Sequence, residues 1–357
     1  MSRLISLALR IFDYKTQPLD AQNVNLVVLH IPDQIGDAMA TFPLIRSLEK
    51  QQIGHLIIVA STINSPVFQA LVLENTRLTV ITSQFQDIAT YQEITSLAHK
   101  IRQEHGVPDL CIEAMRKKNI KTLLFVKTLR AKANLQAVGL TLNCFSPVCR
   151  VASRMDQKFR APVPMTWSIL MRDAGFPVVN ACFELPLATN TLQEVGEQLQ
   201  GLGAYIALNL EGSIANRTFS LESARQLITL IQQVTALPIV IVHSPKKMDQ
   251  MCQLVAESEN VYRLSLDPSI LRTAAVIKDA YLTISPDTSI VHMASAYRTP
   301  VLAVYTDFKT RWPPMENIAE IVVVGRQVSE INHNEFTEKL SRLIKRISAT
   351  STSGSDA

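Results

Sequence analysis

Two short polar runs, each placed directly after an apolar stretch, hold the side chains best suited to chemistry in this 357-residue chain. The first is Asp33-Gln34-Ile35-Gly36-Asp37. Its glycine lets backbone approach a ligand closely. Asp37 has two readings: an N-cap that accepts bonds from the next helix, or a carboxylate that acts as a general base. The second is Ser285-Pro286-Asp287-Thr288-Ser289-Ile290-Val291-His292. Asp287 or Thr288 can cap a helix whose first N–H groups and positive dipole end suit a phosphate. The hydroxyls of Thr288 and Ser289 add donors. His292, about one turn further on, either reaches the same ligand or is a satisfied core histidine.

Two further segments are candidates. Glu211-Gly212-Ser213-Ile214-Ala215-Asn216-Arg217-Thr218-Phe219-Ser220 is a polar stretch around one arginine. Arg217 either pairs bidentately with a diphosphate or is an ordinary exposed loop residue. Arg116, Lys117, Lys118, Lys121, Lys127, Arg130 and Lys132 form a basic run. Without interleaved aromatics it lacks the stacking platforms of a single-stranded nucleic-acid site. An anionic acceptor, lipid headgroups or a solvated helix face remain open for it. Neither GxxxxGK[ST] nor GxGxxG occurs, which removes support for ATPase and dinucleotide readings.

The elements that position these residues alternate. From Asn25 the pattern predicts strands at 26–30, 56–60, 78–82 and 110–113, with helices at 38–50, 66–73 and 91–103 between them. After a Pro-rich turn at 161–164 and a connector at 174–186, the rhythm restarts with strands at 205–210, 239–242, 280–284, 301–305 and 321–324. Helices are expected at 221–235, 246–258, 269–278, 288–297 and 334–347. Such alternation implies parallel sheets with right-handed crossovers. Two doubly wound α/β domains follow, at 1–175 and 186–347, with a cleft expected between them at the C-terminal ends of both sheets. Residues 348–357 read as a disordered tail. Residues 3–14 read as an amphipathic helix, either lying in a membrane interface or docked on the protein.

Composition narrows the classes. Hydrophobic residues make up 47% and charged residues 18%, enough apolar material for buried cores. No run approaches the about 18 apolar residues of a spanning helix. Five cysteines without a CxxC pair argue against a disulfide scaffold or thiolate zinc site and favour a reducing, cytoplasmic setting. The net charge of +4 is uneven: residues 1–160 hold 19 Lys and Arg against 12 Asp and Glu, and residues 161–357 hold 16 against 19. The basic half is expected to face an anionic partner.

Taken together, these segments resemble the ADP-heptose:lipopolysaccharide heptosyltransferases, glycosyltransferase family 9 of the GT-B architecture. Val27–His30 with Asp33–Asp37 and Thr41-Phe42-Pro43-Leu44 resembles the family's first strand, D-x-x-G-D loop and T-x-P helix. Asp109–Glu113 resembles its central acidic strand. Asn209–Phe219 is similar to its N-x-x-G…K-x-W loop. Ser285–Ala294 with Thr299-Pro300 is similar to D-T-G-x-x-H-x-A…G-T-P, and Arg311-Trp312-Pro313 follows. The chain departs from the pattern at Ser289, Arg217, Phe219 and Arg298, where the family has Gly, Lys, Trp and Gly.

The resemblance implies a GT-B-like fold of two Rossmann-like domains and an inverting, metal-independent transfer of heptose. The donor would be ADP-heptose, and the acceptor a sugar hydroxyl of an anionic lipopolysaccharide core or related surface glycan. It implies Asp37 as general base. Arg217, Thr288, Ser289 and His292, with Gly212 and Ser213, would hold the donor's diphosphate, and Asp287 its sugar hydroxyls. Arg116, Lys117, Lys118 and Lys121 are the expected acceptor contacts. No cofactor, metal or nucleic acid is expected, and the inner-membrane surface is a partner through residues 3–14. Another nucleotide sugar, or a family member without catalysis that binds glycan or nucleotide, are the alternatives.

Overall fold

The computed structural model describes residues 9–115, 120–137, 142–307 and 310–353, and the chain divides into two compact units, Met1–Cys182 and Phe183–Ala357. In the first unit β1 (Leu26–Ile31) leads to α1 (Ile35–Met39) and α2 (Phe42–Lys50). There follow β2 (His55–Ser61), β3 (Arg77–Ser83), α3 (Tyr91–His105), β4 (Leu110–Glu113), α4 (Ile120–Leu129), β5 (Ala133–Gln136), α5 (Cys149–Lys158) and α6 (Val163–Asp173). The strands pair in the order β3-β2-β1-β4-β5, all parallel.

The second unit opens with α7 (Thr189–Leu199) and β6 (Ile206–Asn209). It continues through α8 (Leu221–Val234), β7 (Ile239–Val242), α9 (Met248–Ala256), β8 (Val261–Tyr262) and α10 (Ile270–Lys278). The remainder is β9 (Leu282–Pro286), α11 (Ser289–Tyr297), β10 (Val301–Tyr305), β11 (Ala319–Val323) and α12 (His333–Ser353). Its sheet, β11-β10-β9-β6-β7-β8, is also parallel throughout.

The central strands are apolar on both faces because helices cover both. Every residue of β4, β6, β7 and β10 is buried. That is the pattern of doubly wound sheets. Helix starts follow local chemistry. Thr90 and Glu93 close a reciprocal capping box on α3, and Ser220 and Ser269 cap α8 and α10.

Several expectations are corrected. The helix expected over 38–50 is two, since Pro43 has no N–H to continue the ladder, and the Thr41 hydroxyl caps the Ala38 carbonyl at 2.7 Å. The helix expected over 66–73 is a short 3-10 turn, Ser65–Phe68. The Pro-rich turn expected at 161–164 runs into α6 at Val163. Pro164 sits in the first turn of α6, where a missing N–H costs nothing. Beyond α6 the chain stays tied to the first unit, with Ser47 and Lys50 donating to the carbonyls of Pro177 and Val178.

At the C-terminus, the tail expected from Ser348 continues as helix to Ser353. The Ser348 hydroxyl donates to the Ile344 carbonyl and that of Thr350 to the Arg346 carbonyl, both within the helix. At the other end, residues 3–8 of the expected amphipathic helix lie outside the described residues. Leu9–Phe12 is a 3-10 turn. Tertiary bonds then draw the chain out: Asp13 accepts from the Cys144 N–H and the Asn143 amide, and the Tyr14 hydroxyl donates to the Val126 carbonyl. Among the described residues no helix is long and apolar enough to cross a membrane. None of the five cysteines is in a disulfide.

The loop after β1 is pinned from beneath. The buried Asn64 carboxamide donates to the carbonyls of Ile31 at 2.7 Å and Gln34 at 3.3 Å, and accepts from the Ser61 N–H at 2.8 Å. The Ser61 hydroxyl donates to the Asp33 carbonyl, and the Gln86 N–H to that of Pro32. Replacing Asn64 by Ala strands these groups without water. Asn64→Ala should therefore cost about 1–3 kcal/mol, read as a lower urea midpoint with an unchanged slope.

Candidate functional site

In each sheet the order of strands reverses once, between β1 and β4 and between β6 and β9. Ligands of doubly wound sheets bind outside the strand ends at such points. The sequence-predicted residues Arg217, Asp287 and Thr288 come together at the second reversal, and Asp37 lies beside the first.

At the second, Asn209 ends β6 and Pro286 ends β9. The Asn209 amide donates to the Glu211 carbonyl at 2.8 Å and the Ser285 hydroxyl at 3.0 Å, and lies 3.4 Å from the Thr288 hydroxyl. Its own carbonyl accepts from the Glu211 N–H. The side chain of Glu211 in turn accepts from the N–H and hydroxyl of Ser244, which follows β7. The loop from β6 is thus fixed at its first residues. Further along, Gly212 packs so closely on Arg217 that a β-carbon would collide with the arginine's own Cβ and carbonyl. Gly212 also exchanges bonds with the Thr218 hydroxyl. Ser213 beside it is exposed.

Arg217 ends a 3-10 turn, and its Nη1 lies 3.0 Å from the Asp287 carboxylate and 3.3 Å from the Asp287 carbonyl. Its Nε is buried without a partner. Burial raises the Asp287 pKa, Arg217 opposes that rise, and nearby Asp307 adds to it. Of the two capping candidates it is Thr288 that caps α11, accepting from the Ile290 N–H at 3.2 Å. Ser289 is the first residue of that helix, at its positive end. The arrangement is a compact place for an anion: one guanidinium with a spare donor, a helix start and two hydroxyls.

His292 lies inside α11 rather than on an open face. Its ring is stacked on Phe183 at 4.4 Å and tilted against Trp312 at 5.1 Å. Burial pushes its pKa down to about 3. It is therefore a neutral imidazole at neutral pH, and its Nδ1 is buried without a partner. Trp312 is held by its backbone, its carbonyl accepting from the Tyr305 hydroxyl and its N–H donating to Thr310.

At the first reversal, Asp37 stands in the first turn of α1, whose N-cap is Gln34. The N-cap reading of Asp37 is thereby replaced: its half-buried carboxylate is one turn in, on the loop that Ser61 and Asn64 hold. Unforeseen beside it is a buried pair. His30 Nδ1 lies 2.6 Å from Glu113 across the β1–β4 register, and the imidazole stacks on Phe125 at 3.8 Å. Burial raises the Glu113 pKa against the opposing pull of His30.

The basic run is largely consumed in tying the first unit together. Lys121 donates to the carbonyls of Gln86 and Asp87, and Lys127 to that of Ile11. Arg130 covers the Tyr14 ring, and Lys132 pairs with Asp109 at 2.6 Å. Arg116, Lys117 and Lys118 lie outside the described residues. Among the described residues no group of three or more His, Cys, Asp or Glu side chains is placed to hold a metal ion.

Residues 156–340, just over half of the chain, match the family model of glycosyltransferase family 9 (heptosyltransferase). The chain belongs to that family. It is also 57% identical over 230 residues to YeeL of Escherichia coli K12, an uncharacterized protein, a match that covers 64% of this chain and 98% of that one. Among solved structures it resembles the family 9 glycosyltransferase of Veillonella parvula, with a TM-score of 0.70, 15% identity, and 93% and 99% of the two chains covered. The E. coli heptosyltransferase WaaC solved with ADP gives a TM-score of 0.65 at 15% identity, over 89% of this chain and all of that one. The family 9 chain is thus a GT-B-like pair of Rossmann-like units and a glycosyltransferase of heptosyltransferase type.

The motifs read from sequence contain Asp37, Arg217, Asn209 and Ser285, whereas the bond between the Asn209 amide and the Ser285 hydroxyl emerges only from the placing of β6 beside β9. The pKa of His292 falls from 6.5 in the unfolded chain to about 3 in the fold, so between those values the unfolded state binds the extra proton. The stability it contributes is full above pH 6.5 and is lost as pH falls towards 3. His292→Phe should flatten the fall in unfolding free energy between pH 6 and 4 by about 1.4 kcal/mol per pH unit, measured by urea titration of both proteins.

Proposed function

We propose that this chain transfers heptose from ADP-heptose, with inversion and without a metal, to a sugar hydroxyl of a lipopolysaccharide core or related surface glycan. The observation that carries the reading is Arg217, with its unpartnered Nε, set beside the start of α11. That the similar WaaC was solved with ADP supports it.

In this reading Asp37 takes the proton of the acceptor hydroxyl as its oxygen bonds to the anomeric carbon. The bond from that carbon to the diphosphate breaks, and its electron pair leaves with ADP. Arg217 and the first N–H groups of α11 stabilise the growing phosphate charge as fixed, preorganised donors. They supply what a divalent cation supplies in metal-dependent transferases. Thr288 and Ser289 add hydroxyl donors, Gly212 and Ser213 let the loop close on the phosphates, and His292 contributes a neutral hydrogen-bonding edge. Asp287 holds hydroxyls of the donor sugar while orienting Arg217.

Arg116, Lys117 and Lys118 meet the acceptor's anionic groups. Lys121 acts indirectly, by holding the chain at 86–87. The exposed Ile11, beside exposed Arg10, offers lipid an apolar residue and a cation at the cytoplasmic face of the inner membrane.

General-base catalysis is worth about 10²–10⁴-fold. Asp37→Ala should lower kcat by that factor with the melting temperature unchanged, followed by ADP release from ADP-heptose. Titration calorimetry with ADP, UDP, GDP and CMP, without divalent cation, should show selective ADP binding that Arg217→Ala weakens. Preference for another nucleotide would replace the donor, and binding of none would replace transfer by a purely structural or glycan-binding role.

A further inference from the structure

A cavity of about 320 Å³ opens into the first unit, between the sheet and helices α3 and α4. That volume is at the small end of the range for ligand pockets, about 300–1,000 Å³. Its inner wall is His30 and Phe125, with Ile94 and Leu97 completing an apolar side. Its mouth carries Thr62, Thr82 and Gln84, all exposed.

Three observations make it a built site rather than a packing gap. Gln86 lines it, is 1% exposed, and has an Nε2 with no hydrogen-bond partner. A buried amide donor without a partner costs free energy unless something supplies an acceptor. His30 also lines it, and Glu113 already holds its Nδ1, so Nε2 is the nitrogen it can present. The stack on Phe125 fixes that ring's plane. Finally, the wall is fixed to the loop of Asp37, because the Gln86 N–H donates to the Pro32 carbonyl and Lys121 anchors the carbonyls of residues 86 and 87.

The lining chemistry selects the occupant. It combines hydroxyls, carboxamides and one imidazole with an apolar side, the mixture that matches the polar edge and apolar face of a sugar ring. Among its lining residues there is no Lys or Arg, and one carboxylate, Glu93, stands at the rim. A phosphate or carboxylate would find no counter-charge among them, and nearby Lys121 is already engaged by the carbonyls of Gln86 and Asp87. We infer that this cavity binds a single uncharged pyranose ring, through the Gln86 amide, His30 Nε2 and the rim hydroxyls. Its assignment as the place of one neutral residue of the acceptor rests on the transferase reading; the binding itself does not.

The test uses the full chain and four probes: methyl α-glucopyranoside, methyl α-galactopyranoside, methyl α-mannopyranoside and glucose 6-phosphate. Binding is followed by ligand-observed NMR and calorimetry, with ADP titrated in parallel. At least one methyl glycoside should bind, with a Kd on the order of 1 mM, and better than glucose 6-phosphate. Gln86→Leu, nearly isosteric, should weaken it at least about tenfold, or 1.4 kcal/mol. Thr82→Trp, which fills the mouth from an exposed position, should abolish it. Both variants should keep the wild-type response to ADP.

Failure of every glycoside to bind, binding that survives Thr82→Trp, or a preference for glucose 6-phosphate would overturn the inference. Glycoside binding without any nucleotide binding would sustain the cavity and sink the transferase reading. ADP binding without glycoside binding would do the reverse.

Discussion

A buried carboxamide closes the loop after the first strand of each sheet, and the placement of the chemically useful residues depends on it. Where the order of parallel strands reverses, neighbouring chains leave the sheet towards opposite faces, and their last backbone groups can no longer pair with one another. Something must satisfy them in the dry interior. In the second unit that is Asn209, which reaches the Glu211 backbone and the Ser285 hydroxyl. In the first it is Asn64, which arrives from the end of β2 and grips the carbonyls of Ile31 and Gln34. An amide side chain suits this place because it offers two donors and an acceptor without adding charge. Asp37 and Thr288 are then placed by short, tethered loops rather than by flexible ones.

Charge is handled differently in the two units. In the first, the basic surplus is spent on carbonyls, an aromatic ring and Asp109, so much of a run that reads as a ligand-binding strip is structural. In the second, a single guanidinium meets the Asp287 carboxylate, whose pKa is pushed up by burial and by the charge of Asp307. Arg217 is poised between a carboxylate that already holds one nitrogen and whatever acceptor meets its Nε. A lysine there would bring one compact charge with its three donors on a single nitrogen, without the planar fork.

The alternation of strands and helices was legible because fully buried parallel strands read as short runs of β-branched and aliphatic residues. Ile239–Val242 and Val301–Tyr305 are examples. The start of α11 was marked by two adjacent capping candidates, Asp287 and Thr288, of which Thr288 is the cap. Asp37, Arg217 and the 285–292 segment stood out because polar residues after apolar strands have few other uses. The buried pair stayed hidden for the opposite reason. His30 sits amid aliphatic residues and meets Glu113 only when β1 and β4 pair, across 83 positions of chain. Pro164 reads as part of a turn because a proline both breaks helices and begins them. The split between α1 and α2 turned on one missing N–H within an otherwise helical pattern.

The aromatic stack around His292 has an optical consequence. The chain contains two tryptophans, and each unit holds one. Trp167 is buried in α6 of the first unit, while Trp312 stands 5.1 Å from the His292 imidazole in the second. An indole beside an imidazole loses emission when that ring gains a proton, whereas an indole packed in a dry helix reports only the integrity of its own core. The molecule therefore carries two built-in fluorophores with separate meanings, one sensitive to the protonation of His292 in α11 and one to the cohesion of the other half.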